Sequence, residues 1–131
     1  MDNRTKNRII KALRTISLSW GPRASAKRKC KVDKGLHKCS KCGTLCYDGK
    51  SQKNYQLFVE KYSADNVIFE KIHMDHIDAV VGMDGWKDWN TYVERLFCSE
   101  DNFRGLCSAC HGTKSKTEMN IRAGKRRVKK K

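Results

Sequence analysis

No stretch of this chain approaches the roughly 20 consecutive apolar residues needed to cross a bilayer, so no membrane-spanning helix is expected. The first ten residues, MDNRTKNRII, also lack an apolar stretch long enough for a secretory signal. The expected setting is therefore intracellular (cytoplasmic), where thiols stay reduced. Core-forming residues are scarce as well. Of 131 residues 38% are apolar and 33% charged, which allows one domain with modest extensions. A small chain with so little surface to bury usually needs a staple, and bound metal is one of the few available. No internal repeat is visible.

Acidic residues are nearly missing from both ends. Residues 1–31 hold ten Lys and Arg against Asp2 alone, and residues 114–131 hold nine against Glu118 alone. The middle, 32–113, holds ten basic and twelve acidic residues, so the net charge of +15 lies on two arms around a nearly neutral body. Phosphate backbones reward such arms, because each neutralised phosphate releases condensed counterions. A solubilising role is the plainer reading of the terminal GKRRVKKK taken alone. An acidic membrane surface fits less well, since no amphipathic segment carries the exposed aromatics it prefers.

Apolar spacing supplies the elements. Ile9, Ile10, Leu13 and Ile16 share one side of a helix over 4–18 and are expected to dock it on the core. Gly21-Pro22 ends that helix, and Pro22 opens a second basic one through about Lys31. HKCSKCGTLCY within 36–47 reads as a hairpin. QKNYQLFVEKY (52–62) suits a helix anchored by Tyr55, Leu57, Phe58 and Tyr62. VIFEKIHM (67–74) reads as one strand. Trp86, Trp89, Val93, Leu96 and Phe97 mark one side of a helix over 86–97, where a tryptophan pair is more often core than base-stacking platform. A last helix is expected from about Ser108 to Ile121, followed by a basic tail that is disordered without a partner.

Seven cysteines in a reducing setting point to metal ligation before disulfides. Cys39-Ser-Lys-Cys42 and Cys107-Ser-Ala-Cys110 are two CxxC knuckles, each able to grip zinc from one tight turn. Gly43 supplies the φ > 0 freedom such turns use. The 64 residues between the knuckles exceed an ordinary zinc ribbon, but the added closure entropy, on the order of 1 kcal/mol, is small beside zinc binding. His37, Cys30, Cys46 and Cys98 are competing ligands without a paired partner. A redox CxxC would need a βαβ context that is not evident here.

Three polar clusters remain: His73-Met-Asp75-His76, then Asn102, then His111 directly after the second knuckle. A carboxylate and an imidazole suit a divalent ion that also binds phosphate, and a histidine can deprotonate an attacking water. Strand alternation puts His73 with Asp75 on one face and His76 on the other, making His73 an extra ligand or a structural histidine.

HMDHI at 73–77, Asn102 in SEDNFRGLC, and LCSACHGTKSK at 106–116 resemble the HNH endonucleases. The resemblance covers about residues 36–117, and WKDWNTYVERLFCSEDNFRGLC is similar to small bacteriophage-encoded HNH proteins. It implies an α+β chain with a small ββα-metal (HNH or His-Me finger) core stapled by a four-cysteine zinc site. A basic helical arm (1–34) would precede the nuclease domain (35–121), with a disordered tail (122–131) after it. It also implies that Asp75 and His111 ligate a catalytic divalent ion, Mg²⁺ first and Mn²⁺, Ni²⁺ or Zn²⁺ as alternatives. His76 would be the general base, Asn102 would hold the loop that orients it, and Lys114 would contact phosphate. Many relatives carry Asn directly after the final histidine, where this chain has Gly112, which leaves Asn102 as the middle letter. The implied activity is metal-dependent hydrolysis of double-stranded DNA, leaving 5′-phosphate and 3′-hydroxyl ends. The protein would act as a monomer or homodimer, in a bacterial host cell if phage-encoded. Two alternatives stand beside it, a non-catalytic zinc-stabilised nucleic-acid-binding module and a junction-resolving endonuclease for branched DNA.

Overall fold

The computed structural model describes the backbone of residues 1–130 and the side chains through Lys125. Helices α1 (Asn3–Ser17) and α2 (Gly21–Cys30) lead into strands β1 (Lys31–Asp33), β2 (Leu36–Lys38) and β3 (Leu45–Tyr47). Then come α3 (Gln52–Tyr62), β4 (Val67–Ile68), β5 (His73–His76) and α4 (Trp89–Leu96). A 3₁₀ turn at Glu100–Asn102, β6 (Phe103–Leu106) and α5 (Ser108–Lys130) complete the order. Strands β1-β2-β3-β4 form one sheet, antiparallel except for the parallel pair β3–β4, and β5 and β6 pair separately as an antiparallel ribbon.

Parallel neighbours need a crossover, and α3 supplies it between β3 and β4. Ser51 caps it, its hydroxyl accepting from Asn54 N at 3.2 Å. Tyr55, Phe58, Val59 and Tyr62 form its apolar stripe and pack on Leu36, Leu45, Tyr47 and Val67. Leu57, expected among these anchors, lies off the stripe and is 52% exposed.

The expected strand over 67–74 is two strands in two sheets. The chain leaves β4 so that Glu70 can cap α5, where its carboxylate accepts from Ser108 N at 2.9 Å and Ser108 Oγ at 2.7 Å. Asp75 and His76 therefore lie inside a paired strand rather than beyond its end. Ile72 returns to the core between the two strands, among Cys39, Cys46, Leu106 and Cys107.

Helix α4 begins at Trp89, capped by Asp88, whose carboxylate accepts from Thr91 N at 2.7 Å. Tyr92 and Leu96, one turn apart, are its buried residues, while Val93 is exposed. Trp86 precedes the helix and packs its ring on Tyr92, with centroids 5.1 Å apart.

The expected N-terminal arm divides. In α1, Ile9, Ile10 and Leu13 are half-buried and Ile16 is exposed. Its seat is partly polar: Lys6 Nζ lies 3.9 Å from the Trp86 ring centroid, and Arg14 Nε donates to Tyr92 Oη at 3.3 Å. Helix α2 belongs to the core, with Ala26 buried. A Cβ at Gly105 of β6 would lie 2.7 Å from Ile72 Cδ1 and 2.9 Å from Cys30 Sγ, so glycine is what lets α2 approach the ribbon.

The tail also differs from expectation. Residues 122–130 continue α5 as helix, and Lys131 lies outside the described residues. Arg122 donates to the Val81 carbonyl at 3.1 Å and Lys125 meets Asp84 at 2.9 Å, holding the helix beyond Ile121. Lys and Arg are good helix formers, and cations near a C-terminus offset the helix dipole. None of the described helices is long and apolar enough to cross a membrane.

Candidate metal centre and cleft

The hairpin β2–β3 ends in the first knuckle, and β6 runs straight into the second. Cys39 N donates to Thr44 O at 2.8 Å and Gly43 N to Cys39 O at 3.0 Å, closing a turn in which Gly43 has φ +78°. Ser40 N donates to Gly105 O at 2.9 Å, joining this turn to the strand that delivers Cys107. The sulfurs of Cys39, Cys42, Cys107 and Cys110 consequently lie within 4.8 Å of one another, with Cys42 and Cys107 at 3.6 Å. Zn–S bonds near 2.3 Å in a tetrahedron put sulfurs about 3.8 Å apart, so the cluster can hold a structural ion such as zinc. Four crowded thiols cannot all ionise without a cation. The hydroxyl and backbone N–H of Thr44 bring Cys42 down to about 6, whereas the neighbouring Cys107 thiol pushes Cys110 up to about 12. A bound cation removes that conflict by ligating all four as thiolates. Cys30, Cys46, Cys98 and His37 stand outside the cluster.

The second constellation is built by β5, β6 and the first turns of α5. Asp75 is 9% exposed and faces Arg104 across the ribbon. His111 sits one turn past Cys107, its N–H donating to the Cys107 carbonyl at 2.9 Å, so the second knuckle also aims this histidine. His111 Nε2 lies 3.8 Å from Asp75 Oδ1, a separation that two bonds of about 2.1 Å to one ion can span. Asp75 Oδ2 is buried without a hydrogen-bond partner, as is Arg104 Nε at 3.7 Å from it. Lys114 Nζ approaches the same oxygen to 2.9 Å as an ion pair whose angle falls short of a hydrogen bond. The donor set fits a hard divalent ion that takes its remaining ligands from water or phosphate.

His76 is held apart from that pair. Its Nε2 lies 3.1 Å from the Leu96 carbonyl and its ring 4.6 Å from Phe103. A carbonyl only accepts, so this contact assigns the proton to Nε2 and leaves Nδ1 as the basic atom. Asn102 fastens the turn after β5, with Oδ1 accepting from Asp78 N at 3.0 Å and the backbone carbonyl accepting from Ile77 N at 2.8 Å. His73 is exposed and stacks on His111 at 5.0 Å.

Asp75, His76, His111 and Lys114 all line one cleft of about 610 Å³. Arg14 from α1, Arg23 from α2 and Arg122 from α5 edge it. A neighbouring cleft of about 910 Å³ is larger but carries Asp78, Glu94 and Asp101 against Arg95, with Glu118 shared between the two clefts, a lining that repels phosphate. The smaller cleft is the better anion site.

Lys114 has intramolecular partners that its sequence position does not announce. It is mostly buried and donates to the His76 carbonyl at 2.7 Å while pairing with Glu118 at 2.7 Å. Burial opposes its charge, but Glu118 and Asp75 outweigh that and hold its pKa above the ordinary value. The sequence reading missed Glu118 and Arg122. Their signal was present, since 111, 114, 118 and 122 follow helical spacing along one face of α5. Arg104 and the Leu96 carbonyl carried no such signal, because only the pairing of β5 with β6 and the seat of α4 bring them to the site. No family model, curated protein or solved structure matches this chain.

Proposed function

We propose that this chain is a metal-dependent DNA endonuclease of the HNH type, its ββα-metal core formed by β5, β6 and the start of α5. One observation carries the reading. A carboxylate and an imidazole stand 3.8 Å apart in a cleft that also presents a second, independently oriented histidine and three arginines from separate helices.

Asp75 and His111 would hold the divalent ion, Mg²⁺ or Mn²⁺, and that ion supplies stabilisation of charge on the phosphoryl oxygen and the departing alkoxide. His76 accepts the proton of the attacking water at Nδ1, and the Leu96 carbonyl fixes the ring for that task. Asn102 keeps the turn after β5 in register with the 3₁₀ turn, so the strand bearing His76 does not drift. Arg14, Arg23 and Arg122 bind backbone phosphates on either side of the scissile one, where a planar guanidinium suits bidentate contact. The four-cysteine cluster binds zinc and fixes the β6–α5 junction from which His111 projects. Double-stranded DNA is the substrate that the two basic ends favour.

The test is conversion of supercoiled plasmid to nicked or linear form with Mg²⁺ or Mn²⁺, abolished by EDTA. Plasmid left intact across several metals while DNA is still bound identifies a binding module instead. Faster cleavage of a four-way junction than of linear duplex assigns the junction-resolving activity. Arg122→Ala should weaken DNA binding similarly for all sequences and flatten its salt dependence by about one unit of slope. An unchanged slope removes Arg122 from the DNA contact.

A further inference from the structure

The amine of Lys114 meets three acceptors: Asp75 Oδ2 at 2.9 Å, Glu118 Oε1 at 2.7 Å and the His76 carbonyl at 2.7 Å. Hemmed in by two carboxylates and a carbonyl, and with its side chain only 15% exposed, this lysine is committed to groups of its own chain. Arg104 brings a second positive charge to the same Asp75 oxygen at 3.7 Å. Two carboxylates and two fixed cations thus form a balanced cluster at the place where a divalent ion would bind.

We infer that Lys114 is an internal counter-ion that competes with the divalent cation for Asp75, and that Glu118 moderates this competition by sharing the lysine's charge. The inference rests on the reading of Asp75 and His111 as a metal centre. In that cluster an arriving ion meets Asp75 already neutralised, so its affinity for the free protein is low. The phosphate of bound DNA adds the missing negative charge. Metal loading is thereby tied to substrate, which limits ion capture by the idle protein. The lysine's second task is positional, since its bond to the His76 carbonyl ties α5 to the end of β5.

The experiment is titration of Mn²⁺ into the zinc-loaded full chain without DNA, read by calorimetry or by the electron paramagnetic resonance of free Mn²⁺. Lys114→Met should bind Mn²⁺ at least about tenfold more tightly than wild type, because one unit charge leaves contact with the ligand oxygen. Glu118→Gln retains the lysine but removes the charge that offsets it, and should bind more weakly. General damage to the fold would weaken both variants, so opposite signs mark the counter-ion. If Lys114→Met does not tighten binding, or melts in the absence of Mn²⁺ while Glu118→Gln binds like wild type, the inference is overturned. His111→Ala separates this failure from that of the metal centre itself. Mn²⁺ binding that is insensitive to His111→Ala removes the centre, whereas binding that is lost in His111→Ala but unmoved by Lys114→Met removes only the counter-ion.

Discussion

Alanine at position 76 should lower the rate of plasmid nicking by ~10²–10⁴-fold, the range typical for losing a positioned general base, and leave Mn²⁺ affinity unchanged. The reason is the separation of roles in the cleft. His76 spends Nε2 on the Leu96 carbonyl and packs on Phe103, so its ring contributes nothing to the pair formed by Asp75 and His111. His111→Ala is the contrasting variant, expected to lose nicking and divalent-ion binding together. A His76→Ala protein that nicks plasmid at the wild-type rate refutes the assignment of the base. One that loses Mn²⁺ along with activity makes His76 a ligand instead.

The second large effect concerns the staple. Cys107 is 4% exposed and joins β6 to α5, so Cys107→Ser removes one of the four sulfurs that could hold zinc and loosens the anchor of His111. Structural zinc contributes on the order of 10 kcal/mol of apparent binding free energy at neutral pH, more than a small domain's usual margin of stability. Cys107→Ser should therefore lose its zinc and its cooperative thermal transition, as should wild type treated with a strong chelator. Cys46 provides the control. It is fully buried and packs against the same cluster yet stands outside the four sulfurs. Cys46→Ala should keep a full complement of zinc and lose about 1–2 kcal/mol, as expected for a small core truncation. Equal, modest losses in both variants, with no zinc found by metal analysis, would remove the staple from the account.

How legible the fold was depends on whether a residue's environment is local. The two knuckles, the hairpin around the first and the full extent of α3 could be read from spacing alone, because turn chemistry and a helical stripe are short-range signals. The strand over 67–74 was misjudged for the opposite reason. Its β-branched residues do favour strand, but the break comes from Glu70 reaching 38 residues along the chain to cap α5. Leu57 and Val93 were assigned to buried faces by hydrophobicity, while Val59 and Tyr92 occupy them. One position separates Val93 from Tyr92 and two separate Leu57 from Val59, and the partner surface decides. Strand β6 escaped notice because Phe-Arg-Gly-Leu is short and lacks alternation, and its glycine serves the approach of α2. The helical residues 122–130 escaped because local composition shows a run of charge and not the contacts of Arg122 with Val81 and Lys125 with Asp84.

The candidate site was legible as residue types and not as an arrangement. Asp75, His76, Asn102 and His111 each stand out in the sequence, and the fold brings all but Asn102 to the lining of one cleft. Asn102 lines the neighbouring cleft from the 3₁₀ turn before β6, its side chain bonded to the turn that follows β5. Lys114 stands out in the sequence as a phosphate contact, which nothing in the structure tests. A lysine one turn beyond a candidate ligand suggests phosphate, and only the structure places Glu118, Asp75 and the His76 carbonyl around its amine.

Diffraction from crystals of the zinc-loaded protein grown with Mn²⁺ and a short DNA duplex, recorded near the manganese absorption edge, tests the metal centre most directly. A manganese peak bonded to both Asp75 Oδ1 and His111 Nε2 is expected, with His76 beside it but not coordinated. Manganese bound elsewhere, for instance among Asp78, Asp101 and Glu94 in the acidic cleft, with Asp75 still paired only to Lys114, would contradict it.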